Sequence, residues 1–129
     1  MEACITIPQI ADIIADTNID VAWPFKGDWR ITGAWFATTT VLAAHATNFY
    51  SVGLSTAAAT GASFTSAGSF DTDSGGDAIS LAVGASQEIT VSGAATQISE
   101  GYVLRLVLDE SGTVAAMGGT LTVVAEKIP

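Results

Sequence analysis

"YVLRLVLDE" (102–110) is the stretch that decides the fold. Successive side chains of a strand point to opposite faces, so Tyr102, Leu104, Leu106 and Leu108 share one side. Val103, Arg105 and Val107 take the other side, which is therefore partly exposed or meets a partner. A second segment, "TLTVVAEK" (120–127), repeats the pattern, with Leu121, Val123 and Ala125 set against Thr120, Thr122, Val124 and Glu126.

Working outward, "AISLAVG" (78–84) and "QEITVSG" (87–93) read as two short strands joined by a glycine-containing turn into a hairpin. "IDVAWPF" (19–25) and "DWRITGAWFA" (28–37) flank the turn signal "KGD", and "NFYSVGLS" (48–55) adds another strand. The count reaches about seven or eight strands, punctuated by Gly, Ser, Asn and Asp as in a sandwich. The expected fold is all-β: an antiparallel two-sheet β-sandwich of jelly-roll type with a short N-terminal arm. Residues 1–18 form the arm and residues 19–129 the β-sandwich domain. One segment of the arm, "PQIADIIADT" (8–17), leaves two options open. Ile10, Ile13 and Ile14 have helical spacing behind Pro8, yet an extended arm fits equally.

Composition sets the bounds on function. A chain of 129 residues is one domain and buries roughly two-thirds of its unfolded surface, so it needs no disulfide or metal staple. Cys4 is the single cysteine and has no internal partner. No basic stretch precedes an apolar one at the N-terminus, so no secretory leader is expected. Thirteen acids against four bases give a net charge of −9, a poor match for nucleic acid. Those bases, Lys26, Arg30, Arg105 and Lys127, form no cluster. No membrane span is expected either, because "GAWFATTTVLAAHA" (33–46) falls short of the ~20 apolar residues a bilayer requires.

The charge map has one large gap. Between Arg30 and Asp71 lie 40 residues without a charged side chain, and His45 is the sole histidine among them. Aromatics are present throughout: Trp35, Phe36, Phe49, Tyr50, Phe64 and Phe70. Depletion of charge with enrichment of aromatics marks the core of an interface. Buried strands joined by Ala, Ser, Thr and Gly loops give the same composition.

The inventory for catalysis is thin. A Cys–His pair or a serine triad would have to use His45, which sits in "LAAHATN" without a nucleophile elbow. One Cys and one His cannot supply a zinc site. The loop "DTDSGGD" (71–77) places Asp71, Asp73 and Asp77 around glycines in the manner of a calcium loop. The twelfth position, where an EF-hand carries its chelating glutamate, is Ala82, so the loop reads first as a polar turn and only weakly as a metal site. Trp23, Trp29 and Trp35 suit either the core or a sugar-stacking platform. Trp29 and Trp35, six apart, share a strand face if no bulge intervenes. The expectation is a protein without enzymatic activity and without a cofactor.

The whole chain resembles the small capsid decoration (cement) proteins of tailed bacteriophages. The resemblance rests on an apolar strand ending in "WPFKGDWRITGAWFATT", then "NFYSVGLST", then a Gly/Ala/Ser/Thr-rich middle. It closes on "ISEGYVLRLVLDESGTVAAMGGTLTVVAEKI". What it implies is a homotrimer on the outer capsid surface of a virion, bridging major capsid proteins and stabilising the shell. The partners would be the major capsid protein and the chain itself, with no catalytic residues. On this reading Ile5, Ile7, Ile10, Ile13, Trp35, Phe49 and Tyr50 are the candidates for subunit or capsid contact. Phage tail and head-fibre domains share much of the pattern, and a carbohydrate-binding module stays open beside them.

Overall fold

The structure, a computed structural model, describes residues 1–13, 15–61, 63–114 and 116–129, with residues 9–13 described by their backbone alone. Among the described residues nine strands run β1 Glu2–Ile13, β2 Thr17–Ala22, β3 Asp28–Thr38, β4 Phe49–Ala57, β5 Thr65–Asp71, β6 Ser86–Ile89, β7 Gln97–Ser99, β8 Val103–Ser111 and β9 Met117–Lys127. A 3-10 turn, Ala94–Thr96, precedes β7. Among the described residues no helix is long and apolar enough to cross a membrane.

The strands form two antiparallel sheets, ordered β1-β9-β3-β6 and β2-β8-β4-β5, with β7 paired to the first half of β3. The pairs β1·β9, β2·β8, β3·β6 and β4·β5 are nested. A long doubled ribbon has thus been wound so that alternate pairs fall in alternate sheets, which is the jelly roll. The core lies between them. Leu104, Leu106 and Leu108 of β8 are fully buried, and so are Leu121, Val123 and Ala125 of β9, as two-residue alternation requires. Each such leucine contributes roughly 1.5–3 kcal/mol on leaving water.

Two expectations need correction. Residues 78–84 do not form a hairpin with the next strand: Leu81 makes an isolated bridge to Leu42, and β6 pairs with β3. Leu81 and Ile89 each reach the core, and each does so against a different part of the sandwich. The segment read as an arm is built into the sheet. β1 pairs with β9 from Glu2↔Glu126 through Ile13↔Met117, with irregularities between Ile7 and Ile13. The helical option for 8–17 therefore fails as far as Ile13, and Ile14 lies outside the described residues. The edge of β9 is a row of backbone donors and acceptors that a strand satisfies and a helix cannot.

The two flanks of the sandwich differ. On the β5/β6 flank, the Ala67 carbonyl accepts the Ser92 N–H at 2.9 Å, and Gly68 is pressed against the Thr90 carbonyl. The β5 edge is occupied further on, where Asp71 donates its N–H to Asp77 Oδ2 at 2.9 Å and accepts the Ile79 N–H at 3.3 Å. Unpaired edges template aggregation, and these contacts cover one. On the opposite flank β1 and β2 lie side by side, with no backbone hydrogen bond between them among the described residues.

Candidate functional site

The loop 71–77 uses its carboxylates on its own backbone. Asp71 Oδ1 accepts the N–H groups of Asp73 (3.2 Å) and Asp77 (2.9 Å). Asp73 Oδ1 accepts from Gly75 at 2.9 Å. Short acidic side chains bonding N–H groups a few residues on are what make such a sequence turn. Ala78 closes the loop in the left-handed region at φ 56. Among the described residues no group of three or more His, Cys, Asp or Glu side chains is placed to hold a metal ion. His45 belongs to the same end of the sandwich, bridged to Asp73. Its Nδ1 accepts the N–H groups of Thr47 (3.1 Å) and Asn48 (3.0 Å), which puts the proton of the neutral ring on Nε2.

The contact candidates separate. Ile7 and Tyr50 are fully buried and belong to the core, so neither offers its side chain to another molecule. Burial pushes the Tyr50 phenol above its ordinary pKa, and the Glu110 carboxylate adds to this. Ile5 is half-buried against the core. The side chains of Ile10 and Ile13 lie outside the described residues. Phe49 is half-buried on the outer side of β4, in line with Ser51, Gly53 and Ser55. Among the described side chains of these candidates, Trp35 alone is an exposed large apolar group, at 36%.

A bulge accounts for Trp35. The register of β3 on β9 shifts between Ile31 and Gly33, so Trp29 and Ile31 face inward before it and Ala34 and Phe36 after it. Trp29 is buried, donating Nε1–H to the Lys26 carbonyl at 3.0 Å, and stacks edge-on with Trp23, 5.7 Å between rings. Trp35 is turned to the opposite face of the sheet. Thus Trp23 and Trp29 fill the core, and the three tryptophans make no common platform. No residue in "RITGAW" announces the extra residue of a bulge except Gly33 itself.

Elsewhere on the outer surface Arg105 and Asp20 form an ion pair. Arg105 Nε and Nη2 donate to Asp20 Oδ1 and Oδ2 at 2.7 and 2.9 Å, with the guanidinium 3.7 Å above the Phe64 ring. The Arg105 hydrogen bonds hold the Asp20 carboxyl below the usual range, partial burial opposes them, and the charge of Arg105 assists. Two shallow clefts meet at Gln97 and Tyr102, one of about 230 Å³ beside Thr56 and Ala95, one of about 340 Å³ beside Asp28 and Trp29. Their polar walls are engaged: Thr56 donates to the Ala95 carbonyl at 2.7 Å and Ser99 to Asp28 at 2.8 Å.

No family model matches the chain, and no curated protein matches it. Among solved structures it is similar to a chain of "Structure of infectious bursal disease virus Gx strain", at 15% sequence identity and a TM-score of 0.35. The similarity covers 96% of this chain and 32% of that chain, so the present chain spans about a third of that neighbour's length.

Proposed function

We propose that the chain is a structural virion protein, a homotrimer bound to the outer surface of a phage capsid, where it stabilises the shell by bridging major capsid proteins. The observation that carries this reading is a strip of small, uncharged side chains that β4 and β5 set on the outer face of the four-stranded sheet, bordered by Asp71, Arg105 and Asp109. Phe49, Ser51, Gly53 and Ser55 of β4 lie beside Ser66 and Ser69 of β5, and the adjoining loop exposes Val41 at 66%. Small side chains allow close approach of another backbone, and within the strip itself no ion has to be desolvated, the charges lying at its rim. The nested, self-contained sandwich suits a part that acts by burying surface.

The mechanism is linkage. A protein that binds the assembled shell and not its free subunits stabilises the shell by RT ln(1 + [L]/Kd), and three linked copies multiply weak single contacts. The test is co-sedimentation with tailed-phage heads stripped of decoration protein, alongside light scattering of the free protein. Binding to heads and a mass three times the 13.1 kDa monomer are expected. Phe49→Asp and Ser55→Asp should lose both while keeping the β-sheet circular dichroism. A monomer that ignores the heads overturns the reading.

A further inference from the structure

The outer face of the five-stranded sheet is a separate surface. The bulge in β3 turns Trp35 onto it, and the indole lies over Gly33, where even a Cβ would overlap the ring. Register then lines up a row across four strands: Thr6 opposite Thr122, Thr122 opposite Trp35, and Trp35 opposite Glu88. At the usual strand spacing the row is about 14 Å long.

The bonding phase sets the attachment points of two of these side chains close together, while the Trp35 ring itself lies toward Gly33. The Thr39 N–H donates to the Gly118 carbonyl, and stepping back four residues, two full periods, makes Trp35 and Thr122 a hydrogen-bonded pair. Trp35 is therefore in the non-hydrogen-bonded phase toward β6, where opposed side chains approach closest, and its opposite there is the exposed Glu88. An aromatic face beside a carboxylate and hydroxyls is the chemistry that holds a pyranose. The ring stacks its C–H face on the indole, and the carboxylate accepts charge-assisted bonds from sugar hydroxyls.

Charge selects the occupant. The same face carries Glu2, Glu88 and Glu126 against Arg30, on a chain of net charge −9. A second copy laid on this face would set those acids against one another, and an acidic glycan would be repelled. We propose that the row Thr6–Thr122–Trp35–Glu88 is a binding platform for a neutral saccharide chain, with Trp35 stacking and Glu88 accepting hydroxyl hydrogen bonds. This site goes beyond the virion reading and does not rest on it.

Tryptophan fluorescence tests the site directly, because Trp23 and Trp29 are 0% and 2% exposed and Trp35 is the indole a ligand can reach. The intact protein is titrated with cellohexaose, mannohexaose and chitohexaose. At least one should change the emission saturably. Trp35→Ala should abolish the change. In titration calorimetry, which does not depend on the indole as reporter, Trp35→Ala should abolish binding, Trp35→Tyr should keep a weakened form of it, and Glu88→Gln should weaken it roughly tenfold. The proposal falls if none of the three sugars acts on the native protein or if the response survives Trp35→Ala. It falls also if Trp35→Ala lowers the mass in light scattering, since the ring would then cover another copy. An equal response to polylysine would reassign the face to a cationic partner and overturn it as well.

Discussion

Asp71 and Asp73 look interchangeable in "DTDSGGD", yet they carry different loads. Asp71 holds the N–H groups of Asp73 and Asp77, whereas Asp73 holds that of Gly75. Asp71→Ala should cost about 1–2 kcal/mol and Asp73→Ala about 0.5 kcal/mol or less, measured by denaturant unfolding. Melting curves with EDTA and with Ca²⁺ should superimpose if the loop is a turn; a shift of several degrees would make it a metal site. Tyr50 gives the pH signal. Its folded pKa is raised by burial and by Glu110, so the neutral phenol is the form that the fold holds. Stability from this source is intact below the unfolded value of about 10 and falls as pH climbs toward the folded one. Tyr50→Phe should flatten that alkaline decline in chemical-denaturation midpoints. At this scale the sequence was least informative. Phe49 and Tyr50 are neighbours of similar size, and strand phase alone sends one outward and the other into the core.

Whole strands were easier to read. The leucines of β8 and the aliphatics of β9 alternate without interruption, and both strands lie where that alternation puts them. β3 was harder, because one extra residue inverts which side chains face the core and leaves no hydrophobic pattern of its own. β1 was harder still. Its inward Ile5 and Ile7 alternate with Cys4 and Thr6, but a run of isoleucines at mixed spacing also fits a helix or an arm. With Ile7 fully buried and opposite Leu121, Ile7→Ala should cost about 2–5 kcal/mol in equilibrium unfolding. Deleting residues 2–13 should abolish cooperative unfolding. A truncated chain that melts like the parent would return the segment to the role of a free arm.

For the molecule as a whole, nesting dictates how it must fold. β1 meets β9 and β2 meets β8, so the outer pairs join residues from opposite ends of the chain. Loop-closure entropy must be met before those pairings are rewarded, and refolding from denaturant should take milliseconds to seconds, roughly as other β-sandwiches do. A microsecond phase carrying the full amplitude in temperature-jump experiments would contradict this. The unequal flanks add a consequence for motion. The sandwich is bound like a book: the Ser92–Ala67 hydrogen bond and the Gly68–Thr90 contact form the spine, and β1 beside β2 is the fore-edge. Covers part at the fore-edge first. Small openings of the native molecule therefore begin with the first two strands and swing about β5 and β6, so amide protons of Ile5 and Ile7, which face β9, exchange with water long before those of Val52 and Leu106.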